Sequence, residues 1–552
     1  MAVKSERWGS RIGLILAVAG NAVGLGNFLR FPAQAVKNGG GAFIIPYLVS
    51  FLVMGIPLLW IEWTIGRYGG LYGFHATPGA MHVMGKRWWW KYVGVFGIFT
   101  NLTVAAYYAF IESWTLGFVW YSLSGAFTGL SPDQINGFFS WYLGITGNTG
   151  LFTLSPPAIT FFFITISLNI WILSRGLQGG VEKASKIGMP LLLLFGIFLA
   201  IRALTLHAGE QGAVNDAALG LNFLWNPQFD SLANPNVWLA AAGQIFFTLS
   251  VGMGSIHCYA AYLRANEDIA LNAATAGWMN EFVEIVLGGT IIVPIAAAYL
   301  GLDWLQEHVG FEMGFRTMPM LFQNWGPVLA VVAGVAWFGL LFFAGITSSL
   351  AMGQPILAFL EDEFSIERRR AALYFGGAVL LLSLPCVLLY SAGAFEEFDF
   401  WAGTFSLVVF ALAEVILFGW VFGIKNGWEE LTRGADIHVP VIFRFVIKYV
   451  TPVFLLAVFF GALLKPASGN WSTSVLSLMK GEGWSFAPDS VIGSLLHVGV
   501  VDTRWIVDGQ VTHIAIVDGT RVLLLCTFLA IAALVFFAFR KHRNHTFTRE
   551  ES

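Results

Sequence analysis

The first apolar segment of this chain is interrupted where a membrane helix is normally most regular. Residues 12–33 are almost wholly apolar, yet their middle reads Ala19-Gly20-Asn21-Ala22-Val23-Gly24-Leu25-Gly26-Asn27, with Arg30 following. Glycine inside a helix is roughly 1 kcal/mol less favourable than alanine. In hydrocarbon, a backbone group released from a helix needs another partner. A break at this place makes physical sense if the released carbonyls and amides hold an ion or a small polar solute.

Composition agrees with a membrane setting. The chain has 552 residues, 57% hydrophobic and 11% charged, against roughly 25% charged in soluble domains. A hydrocarbon core needs about 20 apolar residues per helical crossing. Twelve such segments are predicted: 12–36, 42–68, 89–124, 157–174, 183–206, 237–262, 270–300, 328–361, 369–388, 394–423, 440–464 and 520–539. Even-numbered connections carry Arg67, Lys86, Arg87, Arg175, Lys183, Arg264, Arg368, Arg369, Arg370, Lys425 and Arg433, while 121–157 has no Lys or Arg. By the positive-inside bias this places both termini in the cytoplasm. No cleavable leader is expected before the first segment. A net charge of −3 gives no footing for nucleic acid. The three cysteines, Cys258, Cys386 and Cys526, fall in apolar segments and read as small packing residues. No metal spacing of His or Cys and no phosphate-binding loop occurs, so neither an enzyme nor an ATP-driven pump is indicated.

The first break has a counterpart. Val23-Gly24-Leu25-Gly26-Asn27 in segment 1 matches Val251-Gly252-Met253-Gly254-Ser255 in segment 6. Five segments apart, the two cross the membrane in opposite directions, which points to inverted repeats with a midplane site between them. Polar groups inside the membrane need a reason. Asn21 and Asn27 lie on the first break, Thr248 and Ser250 on the second, Asn280 and Glu284 share a face of segment 7, and Thr347 and Ser348 sit on segment 8. Neutral oxygens of this kind suit a hard cation; taken singly, the same residues also serve as interhelical glue. Glu62 is expected to accept amides freed at the second break. Arg30 and Asp399 are either isolated charges reaching for the interface or a pair closing an outer vestibule. Residues 465–519 form an exterior excursion, either irregular or carrying a hairpin that turns at Asp508-Gly509.

Several stretches carry a family resemblance. Gly20 to Pro32, Asn38-Gly39-Gly40-Gly41-Ala42-Phe43, Glu112-Ser113-Trp114-Thr115, Gly243 to Ser250, Ala344 to Ser349 and Asp399 to Thr404 resemble the neurotransmitter:sodium symporters, in particular their bacterial leucine-transporter branch. The resemblance implies an all-α polytopic protein of twelve transmembrane helices with the LeuT fold: a 5+5 inverted repeat, helices 1 and 6 broken, plus helices 11 and 12. It implies a transporter core over 1–464 with repeats at about 10–206 and 237–423, then the 465–519 insertion, then helix 12 with a cytoplasmic tail over 520–552. It also implies a prokaryotic-type inner membrane as location; a homodimer is one open oligomeric state.

By position, one co-transported sodium would be held by the Ala22 carbonyl, Asn27, Thr248 and Asn280. A second would be held by Gly20, Val23, Ala344, Thr347 and Ser348. The amino-acid substrate would meet Asn21, Ala22, Leu25, Gly26, Val104, Tyr108, Phe247, Thr248, Ser250, Met253, Ser348 and Met352. Arg30, Asp399, Tyr108 and Phe247 would form the outer gate, with Trp8, Tyr262, Gln354 and Asp362 in the inner network. The inner-gate arginine is replaced by Ser5, leaving Lys4 or Arg7 as substitutes. Glu284 stands where chloride-dependent members carry a neutral residue, which implies chloride-independent transport. Amine-transporting members carry an aspartate where this chain has Gly24, which favours a substrate that brings its own carboxylate.

The expected function is therefore sodium-coupled symport of neutral hydrophobic amino acids by alternating access. Met253 and Met352 imply a pocket wide enough for methionine or aromatics. The alternatives are a transporter dedicated to tryptophan and other aromatics, and a sensor of the same fold that binds without transporting.

Overall fold

The structure, a computed structural model, describes residues 6–145, 153, 155–227, 229–500, 504–507 and 510–541. Among these, ten helices are long and apolar enough to cross a membrane, and a bent pair, Arg11–Ala22 with Leu25–Lys37, supplies an eleventh span. The sixth span completes the twelve. It consists of two pieces, Pro235–Leu249 and Ser255–Ala260, each too short to cross alone. The architecture is all-helical apart from one small hairpin, with the first and sixth spans broken.

The ends of the helices follow local chemistry. Ser10 caps the first span, accepting from the Gly13 amide. The third and eighth spans, Trp90–Leu123 and Pro327–Phe364, are the long central staves and pack along each other. The eleventh and twelfth spans, Ile442–Leu464 and His513–Arg540, lie at the periphery and leave most of their surface to lipid, with Leu525, Leu529, Phe536 and Phe537 exposed. Cys526 is exposed there too, whereas Cys258 and Cys386 are buried packing residues. The last helix begins at His513, earlier than the 520 expected, because Ile514-Ala515-Ile516-Val517 continue its apolar run. Strands Ile506–Val507 and Gln510–Val511 pair antiparallel; the turn residues 508 and 509 lie outside the described residues.

The first break is short. The Val23 amide still donates to the Ala19 carbonyl, Gly24 is extended, and the helix restarts at Leu25 bent by 44°. Asn27 caps the restart by accepting from the Gly24 amide at 2.8 Å. The sixth span breaks more widely, with Ser250, Gly252 and Gly254 all left-handed at φ 54°, 72° and 90°. Only glycine takes such angles without strain. Ser250 is held there by its hydroxyl bond to the Asn21 carbonyl at 3.0 Å. Glu62, buried on the second span, accepts from the Gly252 amide at 2.6 Å. His257 and Glu414 pack beside it, with the ligand-capable atoms of the three residues within 4.8 Å of one another. A carboxylate thus replaces the helix partner that the Gly252 amide lost.

Gly252 is the most constrained point of this break. A Cβ there would lie 2.3 Å from the Leu407 carbonyl oxygen. We predict that Gly252→Ala lowers stability by about 2–4 kcal/mol, from the left-handed penalty plus overpacking. Gly243→Ala is the control: no atom lies within 4 Å of its added Cβ, and in a helix interior the change is neutral or stabilising by up to about 1 kcal/mol. Thermal unfolding in detergent measures both; equal melting temperatures would contradict the assignment.

Candidate functional site

The two breaks meet at the centre of the bundle. Ser348 Oγ lies 3.2 Å and 3.3 Å from the carbonyls of Gly20 and Asn21, and the Asn21 side chain donates to Ser255 at 3.1 Å. A narrow cavity runs between them. Of the residues expected on substrate, Asn21, Ala22, Gly26, Val104, Tyr108, Phe247, Ser250, Met253, Ser348 and Met352 line it. Leu25 and Thr248 stand just outside that lining. The Leu25 amide, at the start of the second helix piece, donates to Tyr108 Oη at 3.1 Å.

Close packing makes glycine necessary on the cavity wall. A Cβ on Gly24 would lie 2.9 Å from Tyr108 Oη and 3.1 Å from Ser348 Oγ, and one on Gly26 would lie 2.4 Å from the Phe247 ring. A carboxylate side chain at position 24 has no room in this arrangement.

Beside the cavity, the first, sixth and seventh spans contribute one buried polar cluster. Asn27 Nδ2 donates to Asn280 Oδ1 at 2.8 Å, Glu284 Oε2 at 3.0 Å and Thr248 Oγ1 at 3.2 Å. Asn280 Nδ2 donates to Thr248 Oγ1 at 2.9 Å. Gln244 secures the other carboxylate oxygen of Glu284 at 2.7 Å. Glu284 reaches this position from a π-helical stretch, Phe282–Gly288, in the seventh span. At its end Gly288 lets the first span approach: a Cβ would lie 2.3 Å from the Asn27 carbonyl oxygen. π-Segments of this kind are often found at functional sites.

A second oxygen-rich group lies across the first break. Ser348 also bonds the Ala344 carbonyl at 3.1 Å, and Thr347 lies 3.2 Å from that carbonyl. Gly20 packs directly on Thr347, with 2.9 Å between its notional Cβ and that of Thr347. Gly20, Ala344, Thr347 and Ser348 therefore converge; Val23 ends the helix segment that carries the Gly20 carbonyl.

The gate residues are arranged differently from the pairs implied by sequence. Among the described residues, Arg30 and Asp399 form no ion pair within 4.0 Å. The Arg30 guanidinium lies over the Phe247 ring, 4.3 Å from its centroid. Asp399 accepts from Tyr107 Oη at 2.8 Å. Each charge is satisfied separately, which closes the cavity with an aromatic pair rather than a salt bridge. On the opposite side Trp8 donates to the Tyr259 carbonyl at 3.0 Å, and Gln354 donates to Tyr262 at 3.2 Å. Asp362 bonds His75 at 2.8 Å and 3.1 Å, a partner not named from the sequence. Lys4 and Ser5 lie outside the described residues.

Tyr107, Gly403 and Leu407 also line the cavity and were not anticipated. Gly403 and Leu407 lie at i,i+4 just beyond Asp399, a spacing that was legible. Tyr107 was masked by its neighbour Tyr108, because adjacent helical residues point to different faces. His257, packed between Glu62 and Glu414, is brought to them only by the fold.

A paired break, a buried cavity between the pieces and flanking oxygen clusters are the arrangement of a secondary transporter. The model of the sodium:neurotransmitter symporter family matches residues 5–131 and 158–492, and the chain belongs to that family. It is a sodium-dependent transporter. An uncharacterized sodium-dependent transporter of Methanocaldococcus jannaschii is 32% identical, over 83% of this chain and 90% of its own. A relative from Haemophilus influenzae, also named as an uncharacterized sodium-dependent transporter, is 28% identical over 83% and 98%. The sodium-dependent nutrient amino acid transporter 1 of Drosophila pseudoobscura pseudoobscura is 24% identical over 83% of this chain and 75% of its own. The crystal structure of MhsT in complex with L-phenylalanine superposes with a TM-score of 0.71 at 28% identity, covering 82% of this chain and 99% of that one.

The Asn27 cluster makes a direct prediction. Sodium raises the melting temperature of the purified wild-type protein above its value in choline, by the mass action of binding to the folded state. Asn27→Ala leaves buried partners unpaired, costs roughly 1–3 kcal/mol, and removes most of the sodium-dependent increment. An unchanged increment would disconnect the cluster from sodium.

Proposed function

We propose that the protein is a symporter that couples sodium entry to uptake of neutral, hydrophobic amino acids, aromatic ones included. The observation that carries this reading is Gly24. With no side chain there, a substrate carboxylate has room to take over the Leu25 amide and Tyr108 Oη from their mutual bond and to meet the Gly26 amide. The restarted helix presents its N-terminal amides, which favour an anion. Carbonyls at the end of the preceding piece, with Ser250 and Phe247, suit the ammonium group. Met253 and Met352 flank the side-chain end of the cavity and adapt to varied apolar shapes. Two relatives support the same substrate class: MhsT crystallised with L-phenylalanine, and the Drosophila protein is named for nutrient amino acids.

Two sodium sites complete the reading. The first uses the Ala22 carbonyl, Asn27, Thr248 and Asn280, with the substrate carboxylate as a further ligand. The second uses carbonyls of Gly20, Val23 and Ala344 with the Thr347 and Ser348 hydroxyls. A ligand shared between ion and substrate makes each strengthen the binding of the other, which is the linkage that symport requires. Alternating access then opens the Arg30–Phe247 and Tyr107–Asp399 side or the His75–Asp362 side in turn. Glu284, held by Asn27 and Gln244, supplies the fixed negative charge that makes a chloride ion unnecessary. The positive-inside bias supports cytoplasmic termini, and the resemblance to the bacterial branch supports a prokaryotic-type inner membrane.

Uptake into proteoliposomes tests the whole. Labelled leucine, methionine and phenylalanine accumulate when sodium is outside and do not when choline replaces it; binding without accumulation would favour a sensor. Exchanging chloride for gluconate leaves the initial rate within about twofold, which is small beside the tenfold that 1.4 kcal/mol represents. A collapse of uptake in gluconate would remove Glu284 from this role.

A further inference from the structure

On the side of the bundle that carries Trp8, a loop is tied to the end of a span distant in the chain. The loop after the second span, Gly41–Gly70, places His75 against Asp362 near the end of the eighth span. The His75 backbone amide donates to Asp362 Oδ2 at 2.8 Å, and its Nδ1 lies 3.1 Å from Oδ1. The imidazole stacks on Tyr262, at the end of the sixth span, with centroids 4.4 Å apart and planes 18° from parallel. The second span packs with the second piece of the sixth, and the eighth packs with the third and fifth; the second piece of the sixth also packs on the eighth. The His75–Asp362 contact ties the loop after the second span to the eighth, beside the Gln354–Tyr262 bond from the eighth to the sixth, and opening this side separates that loop from the eighth span.

We infer that His75 is the gate residue that holds this pathway shut as the charged partner of Asp362, so that its proton sets how readily that side opens. The inference rests on the alternating-access reading above. A histidine is the one ordinary side chain whose charge changes between about pH 5 and 8. A gate closed by it responds to pH where one closed by arginine does not.

The surroundings decide the direction. The N-terminal segment brings Glu6 and Arg7, and the end of the sixth span brings Tyr262 and Arg264. The eighth span adds Glu361 beside Asp362. The ninth adds Arg368, which is already engaged with Glu6 at 3.1 Å, Glu361 at 3.3 Å and Gln354 at 2.6 Å. Burial pushes the His75 imidazole toward its neutral form, and the carboxylates of Asp362, Glu361 and Glu6 outweigh it, so its pKa lies above the usual 6.5. A raised pKa in the latched state means the charge stabilises the latch fully below the ordinary histidine pKa. That support is lost as pH rises through the raised value. The gate is firm at mildly acidic pH and loosens above neutrality.

Cys258 provides a native reporter. It is buried on the second piece of the sixth span, four residues before Tyr262. With Cys386→Ser and Cys526→Ser as background, the full chain is labelled by a maleimide in sodium-free buffer, and each variant is compared with its parent at the same pH, which cancels the thiol's own ionisation. At about pH 6, His75→Gln labels roughly fivefold faster than the parent, and at about pH 8 the ratio falls toward one. His75→Lys, charged throughout, labels no faster than the parent at about pH 6 and more slowly at about pH 8. Slow labelling of His75→Lys also shows that position 75 tolerates substitution in the fold. A His75→Gln ratio that is one at both pH values, or equal and raised at both, overturns the inference, as does fast labelling of both variants. Loss of sodium-driven uptake in proteoliposomes would instead fall on the transport reading, since the labelling requires no substrate.

Discussion

Hydrocarbon offers no hydrogen-bond partner to a backbone that leaves the helix, and two spans of this transporter leave it at the same depth. Everything around the site answers that constraint. The Gly24 amide is taken by Asn27, the Gly252 amide by Glu62, the Asn21 carbonyl by Ser250 and the Gly20 carbonyl by Ser348. Most of these partners come from the opposite break or from the second and eighth spans. Each break is therefore completed by elements outside its own helix, and the two cannot be rearranged independently. The carbonyls and amides that are satisfied in this way are also those best placed to meet ions and substrate.

The same constraint explains the choice of side chains. An isolated charge at this depth is costly, and the groups facing the breaks are mostly amides, hydroxyls and bare backbone. Two of the carboxylates beside the breaks are tied down. Glu284 is held by Asn27 and Gln244, and Glu62 by a backbone amide. Glycine at 24 and 26 serves a different end, since Tyr108 and Phe247 occupy the space that side chains would need. Under the proposed function, substrate recognition and helix breakage draw on the same few small residues.

The two ends of the pathway are closed by different chemistry. One end uses an arginine over an aromatic ring and a tyrosine–aspartate hydrogen bond. The other uses an aspartate shared with a histidine, beside an arginine that ties together Glu6, Glu361 and Gln354. Ion pairs near water contribute little individually, so neither end is locked. Contacts of this strength suit the alternating access proposed above.

The amino-acid sequence determined which segments span the membrane, which two of them break and which residue types stand at the breaks. Those features are local: apolar runs of fixed length, glycines where a helix cannot tolerate them, and polar groups where lipid surrounds them. It also made most of the cavity legible, since Asn21, Tyr108, Phe247, Met253 and Ser348 sit on those breaks or on helical faces turned toward them. What it left open were pairings between residues far apart in the chain. Asp362 has several basic candidates within reach in one dimension, and only the course of the loop after the second span selects His75. Arg30 and Asp399 look like a pair until Phe247 and Tyr107 take one each. Tyr107 and His257 carry no signal of their own, because the direction a side chain faces depends on which helix packs beside it. Tertiary structure decided these contacts, since the partner of a buried polar group is whatever the packing of the other spans brings within about 3 Å.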